Sequence, residues 1–174
     1  MIETTAQSMT RRPRVGRNDW GTPQILFDLL DKEFHFTLDV CASAENTKCR
    51  NYLSIESDGL SQPWTNAICF MNPPHSNADG TRALPDWIAK AVEESKKPNT
   101  TVVALLPVDT STKWFSLACS EASEIRFLVG RLRFIGAPSC APFASAVLVF
   151  QYGRPKAGTV KFWPWRCQVR GINP

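Results

Sequence analysis

Two stretches of this chain are apolar without interruption and end at proline. Ala67-Ile68-Cys69-Phe70-Met71 runs into Asn72-Pro73-Pro74, and Thr100 to Leu106 runs into Pro107. A strand with one solvated face alternates apolar and polar side chains, because successive residues point to opposite faces. Unbroken apolar runs therefore predict strands covered on both faces, as in a parallel sheet packed between helices. Helices are predicted where apolar residues recur at helical spacing: Ile25, Leu26, Leu29 and Leu30 with Phe34 beyond, then Leu84 to Ser95, then 112–122. Thr22 is a suitable N-cap for the first and Pro23 a suitable first helical residue.

Weaker patterns fill the rest. Phe36 to Val40 reads as a short buried strand, Glu45 to Cys49 as a brief helix, Asn51 to Ile55 as a second short strand, and Asp58-Gly59 as a turn. His75 to Arg82 is polar loop, and Ile125 to Val129 is strand-like. Leu132-Arg133-Phe134 and Ala144 to Tyr152 are predicted to pair antiparallel, with a further strand near Val160 to Trp163. Strands alternating with helices give an α/β domain with a mainly parallel sheet and an antiparallel C-terminal strand pair. Ligands of such sheets bind at the C-terminal ends of the strands. The loops starting at Cys41, Asn72 and Pro107 are thus the places to look for chemistry.

The 174 residues fit one domain, and 43% hydrophobic against 21% charged residues suits a globular core. The net charge of +4 is uneven: residues 1–17 carry +3, 151–174 carry +5, and the stretch between carries −4. Residues 1–17 read as a flexible basic arm, 18–152 as the folded domain, and 153–174 as a basic C-terminal extension. Basic ends on a mildly acidic body suit phosphate contacts, or simply aid solubility. There is no apolar run of membrane-spanning length and no signal-like N-terminus, so a cytoplasmic protein without a membrane partner is expected. The six cysteines lack metal-ligand spacing, which predicts reduced, mostly buried thiols and no metal.

Asn72-Pro73-Pro74-His75 has a specific chemical use. The amino group of adenine is a poor nucleophile, because its lone pair is delocalised into the ring. Two acceptors that take its N–H bonds draw the nitrogen towards a tetrahedral form and stabilise the charge that develops on attack. The Asn72 side-chain oxygen and the Pro73 carbonyl are such acceptors. The two prolines hold them pre-aimed, and the His75 ring can stack on the base. Asn-Pro-Pro is also a common rigid strand exit, but its place directly after the most apolar strand favours chemistry. Leu38-Asp39-Val40-Cys41-Ala42 ends a strand in an acid and small residues, which lets a nucleoside approach closely. Trp20-Gly21-Thr22-Pro23 opens a helix whose N-terminus suits a carboxylate, although capping alone explains Thr22 and Pro23. Asp58 could accept from a ligand amino group, or merely sit in a turn.

Together these motifs resemble the phage-type DNA N6-adenine methyltransferases, the small Dam family of phages and prophages. The resemblance covers roughly residues 18–152. It rests on W-G-T-P at 20–23, L-D-V-C-A at 38–42, D-G-L at 58–60, N-P-P-H at 72–75, L-L-P at 105–107, W-F at 114–115, G-R-L-R-F at 130–134 and A-P-F-A-S-A at 141–146. It implies a Rossmann-like methyltransferase domain with S-adenosylmethionine as donor. It puts Trp20, Thr22, Pro23, Asp39, Cys41 and Asp58 at cofactor positions, and Asn72, Pro73, Pro74 and His75 at the target base. Two departures stand out. His75 replaces the usual aromatic residue and is expected to act neutral. The interval from Asp39 to Asp58 is short for the usual strands and helices, so the ribose ligand is open between Glu45 and Glu56.

The resemblance makes double-stranded DNA the partner. A base inside a duplex must be flipped out to reach such a pocket. The chain has no room for a separate recognition domain, so short loops carry that task. Arg82 in one loop, and Arg131 and Arg133 flanking another, are the expected DNA contacts, and a short or relaxed recognition site follows. RNA adenine, a protein glutamine, or a non-catalytic DNA-binding role are the competing readings. Monomer and dimer both stay open.

Overall fold

The computed structural model describes residues 20–75, 83–156 and 158–169. Its elements are α1 (Gln24–Phe34), β1 (Leu38–Asp39), β2 (Ile68–Met71), α2 (Leu84–Ser95), β3 (Thr101–Pro107), α3 (Lys113–Glu121), β4 (Glu124–Leu128), β5 (Ser145–Gln151), β6 (Thr159–Trp163) and α4 (Trp165–Val169). The six strands form one sheet in the order β1-β2-β3-β5-β4-β6. β1, β2 and β3 pair parallel, as do β4 and β6, while β5 runs antiparallel to both β3 and β4. This is the Rossmann-like arrangement expected, with one modification. The antiparallel strand lies inside the sheet, and Leu132–Phe134 is not its partner. That stretch is a loop between β4 and β5, joined to the domain by a bridge between Gly21 and Ile135.

The apolar runs divide by parity. Cys69 and Met71 of β2, Val102, Ala104 and Leu106 of β3, and Ala146, Leu148 and Phe150 of β5 pack in one cluster with α2 and α3. Phe70, Val103, Leu105, Val147 and Val149 face the other side, against Leu26, Phe27 and Leu30 of α1 and against Leu132, Phe134, Trp163 and Trp165. Continuous hydrophobicity was thus the sign of a sheet covered twice.

Two ion clusters anchor elements distant in sequence. Glu94 on α2 is fully buried and accepts the Trp64 backbone N–H at 3.0 Å, with Lys90 and Lys97 at 2.6 and 2.8 Å. Burial alone would raise its pKa, but these partners hold its carboxyl below the usual range. Arg126 on β4 is buried between Glu33 of α1 and Glu124, over the rings of Phe34 and Trp163.

The region after β1 departs from expectation. No helix forms between Glu45 and Cys49; a turn does, closed by the Ser43 N–H donating to Asn46 Oδ1 at 2.7 Å. The predicted strand Asn51–Ile55 reduces to a bridge between Tyr52 and Asp39. All six cysteines are free: Cys69 is buried, Cys41, Cys49, Cys119 and Cys167 are half-buried, and Cys140 is exposed. No helix among the described residues is long and apolar enough to cross a membrane.

Candidate active site

β1 and β2 are adjacent and parallel, with Asp39 beside Phe70. Their C-terminal ends therefore deliver Asp39, Cys41 and Asn72 to one place. A cavity of about 440 Å³ opens there, within the range of small-molecule sites. Trp20, Thr22, Asp39, Cys41, Asp58, Asn72 and Pro74 all line it. Pro23, Pro73 and His75 do not line it, and neither does the loop after Pro107.

Asp39 is 3% exposed and accepts the Lys48 backbone N–H on Oδ2 at 3.1 Å. Burial raises its carboxyl to about 6, against the lowering effect of the Lys48 and Cys41 N–H groups and the Lys48 charge. Such a carboxylate lacks solvent and is suited to a cationic ligand group. Burial and the nearby Asp39 push the Cys41 thiol well above its usual range, although the Asn72 backbone N–H bonds to it. A thiol shifted this way is poorly suited to act as a nucleophile, and Cys41 stands in the cavity wall.

Thr22 does not cap α1, contrary to expectation. Pro23 holds the N-cap position, and its carbonyl accepts the Leu26 and Phe27 N–H groups. The Thr22 side chain is turned inward at 2% exposure, and its hydroxyl has no partner. No acidic residue occupies the first turn of α1, so its N-terminal amides keep their preference for an anion.

Asp58 reaches the cavity through a tight turn. It adopts a left-handed backbone, with φ of 52°. A Cβ on the next residue, Gly59, would lie 2.3 Å from the Val40 carbonyl, so only glycine lets the turn close onto the end of β1. The Trp64 indole donates to the Gly59 carbonyl at 2.9 Å and fixes the turn from below.

The Asn72 side-chain amide donates to the Trp20 carbonyl at 3.2 Å. That bond engages its N–H side and leaves Oδ1 as the acceptor. A row of aromatic contacts leads round the site from Trp20 to Phe134, Phe143 and His75, with centroids 6.1, 6.5 and 5.3 Å apart. Burial lowers the pKa of His75, which favours the neutral imidazole.

Sequence reasoning missed much of the outer wall. Lys48, Leu53, Ile55, Leu60 and Trp87 also line the cavity. Only the brevity of the segment after Asp39 hinted that a loop would replace regular structure there. Of the two ribose candidates, Glu56 is at the cavity and Glu45 is not. Arg131 and Arg133 are exposed on the loop between β4 and β5. Arg131 also donates to the Ala141 carbonyl and accepts from Arg166 on its own carbonyl, so it staples that loop. Arg82 lies outside the described residues.

A family profile described as DNA N-6-adenine-methyltransferase (Dam) matches residues 8–151. The chain belongs to the Dam family. Two relatives carry the name DNA N-6-adenine-methyltransferase. The chain is 40% identical over 119 residues to that of Haemophilus phage HP1 (strain HP1c1), and 34% identical over 118 residues to that of Escherichia phage T1. Each alignment takes in 67% of this chain, but 65% of the HP1 protein and 47% of the T1 protein. The chain thus spans less than two thirds of either relative. The Dam-family match includes the ends of β1 and β2, and with them Asp39 and Asn72.

Proposed function

We propose that this chain transfers a methyl group from S-adenosylmethionine to N6 of a flipped-out adenine in double-stranded DNA. The observation that carries the reading is Asn72, whose amide is oriented by Trp20 at a cavity shared with Asp39, Thr22 and Asp58. The cavity suits the donor molecule. The unpartnered Thr22 hydroxyl and the α1 N-terminus fit its carboxylate. The desolvated Asp39 fits its cationic part. Glu56 is the candidate for the ribose hydroxyls, and Asp58 for the adenine amino group. When bound, S-adenosylmethionine supplies an electrophilic methyl group.

The protein's own contribution is to hold the nucleophile. Asn72 Oδ1 and the Pro73 carbonyl accept the two N–H bonds of the target amino group and free its lone pair. The nitrogen gains a carbon and loses one proton, which leaves to solvent after transfer, so no strong base is required. His75 and Phe143 offer ring surface beside the base. Arg133 contacts phosphate, with Arg131 and Arg82 as the further DNA contacts. The reading implies the cytoplasm of a bacterial or phage-infected cell, where such DNA lies.

The test is incubation with duplex DNA and isotope-labelled donor, followed by mass spectrometry of the nucleosides. Labelled N6-methyladenine is expected, and Asn72→Ala should reduce it by at least a hundredfold, comparable to loss of an oxyanion-type acceptor. Label appearing in RNA or peptide but not in DNA would contradict the reading. So would an absence of donor binding in calorimetry, which would favour a non-catalytic module.

A further inference from the structure

Ile135 is an apolar residue in an unexpected place. It is 53% exposed, yet its backbone is held firmly. Its N–H donates to the Gly21 carbonyl at 2.8 Å and its carbonyl accepts the Gly21 N–H at 3.2 Å. Its side chain lies over Gly21, so that a Cβ there would sit 3.4 Å from the Ile135 Cβ and 3.8 Å from its Cδ1. Gly21 and the preceding Trp20 both line the cavity, whereas Ile135 does not. Ile135 is therefore on the rim, outside the cavity, and its pairing partner Gly21 directly follows Trp20, whose carbonyl orients Asn72.

The surroundings are those of a nucleic-acid contact. Arg131 and Arg133 precede Ile135 on the same exposed loop. Gly136 follows with φ of 85°, a left-handed turn directly after the bridge that Ile135 makes with Gly21. Phe134, its neighbour, is buried and stacked on Trp20, so the loop cannot withdraw without breaking that contact. The loop presents an exposed apolar side chain just after two exposed cations.

We infer that Ile135 is the side chain that enters the base stack and fills the gap left by the flipped adenine. Extrusion of a base costs a few kcal/mol of pairing and stacking. An apolar wedge between base steps recovers part of that cost, and isoleucine is among the side chains used so. Apart from its contact over Gly21, the side chain is left in water. The inference rests on the methyltransferase reading and adds to it the means by which the target leaves the helix.

The test compares wild type with Ile135→Ser and Ile135→Leu on an oligonucleotide carrying a mapped target. Three forms are used: fully paired duplex, duplex with an abasic site opposite the target adenine, and single strand. Single-turnover methylation is measured on each, and 2-aminopurine fluorescence reports extrusion in the paired form. Ile135→Ser should lose about tenfold or more on paired duplex relative to its change on the abasic and single-stranded forms, because prior unpairing removes the cost the wedge offsets. The 2-aminopurine signal should fall in parallel, and Ile135→Leu should restore both. An equal loss on all three substrates would mean that Ile135 only supports Trp20 and Gly21, and would overturn the inference. No loss on paired duplex would overturn it as well. If wild type methylates none of the three DNAs, the methyltransferase reading itself fails, an outcome distinct from an active wild type with an indifferent variant.

Discussion

Asp39→Asn removes a carboxylate that the cavity wall deprives of solvent. The folded protein holds its pKa near 6 against an ordinary 3.8, with burial as the main cause. That is about two units, and at 1.36 kcal/mol per unit it corresponds to ~3 kcal/mol. A raised carboxyl binds its proton more tightly in the folded state than in the unfolded one. Its contribution is therefore fully present below pH 3.8 and is lost as pH rises through about 6. At pH 4 the ligand-free wild type and Asp39→Asn should be about equally stable. At pH 8 the variant should be more stable by up to ~3 kcal/mol, on the order of 5–10 °C in Tm for a domain of this size. Asparagine keeps an acceptor for the Lys48 N–H, so that bond need not be lost. Binding should move oppositely. Wild-type affinity for S-adenosylmethionine should rise with pH up to about 6, while the variant binds weakly with no such step. Denaturation at a series of pH values, paired with calorimetry, reads both quantities. A stability difference independent of pH, or a variant less stable than wild type at pH 8, would refute the desolvation argument.

Thr22→Val replaces a buried, unpartnered hydroxyl with a methyl of similar size. It should leave stability unchanged or raise it by ~1 kcal/mol in thermal melts, while weakening donor binding in calorimetry. His75→Tyr should keep methylation at pH 7.5 within a few fold of wild type, since the half-buried imidazole is held towards its neutral form and needs only to stack. Loss of activity in that variant would give the imidazole a further role. Arg133→Ala should reduce the slope of log affinity for duplex DNA against log salt by about 0.9, the effect of one phosphate contact. An unchanged slope would remove Arg133 from the interface. Donor binding should slow hydrogen exchange in 51–58, where Ile55 is 84% exposed on the cavity wall. Equal exchange with and without donor would mean that this wall does not take part.

What could be read from sequence follows from where each residue's burial originates. β2, β3 and β5 were legible because helices cover both faces of the sheet, so every residue in the run had to be apolar. Leu132 and Phe134 looked like a strand because they alternate with Arg131 and Arg133. Their burial comes instead from the aromatic cluster beneath the loop, and no ladder is involved. Thr22 followed the local rule for a helix cap, and tertiary packing overrode it by turning the side chain inward. The anchors Glu94–Trp64 and Arg126–Glu33 join positions 30 and 93 residues apart, a relation that no local pattern encodes. The strand-end candidates Asp39 and Asn72 meet at one cavity because parallel sheets bring their C-terminal ends together. Ile55 and Leu53 were not, because a loop wall has no periodicity.

The cavity gathers several features that are individually unfavourable to the folded chain. Asp39 is a desolvated carboxylate, the Thr22 hydroxyl is buried without a partner, and Ile55 is a large apolar side chain in water. Asp58 adds a left-handed backbone that a β-carbon resists. Scattered over a surface, such features would need separate explanations. Here they line one cavity, and the donor proposed above would answer those of the side chains together: a cation for Asp39, an anion for Thr22 and the α1 N-terminus, and an apolar ring or ribose face for Ile55. Departures from local rules are expected to collect where function demands them. Their convergence is independent of Asn72-Pro73-Pro74, because none of these residues belongs to that motif. On the proposed reading the motif holds the base, and the cavity, on separate physical grounds, suits a zwitterionic nucleoside beside it.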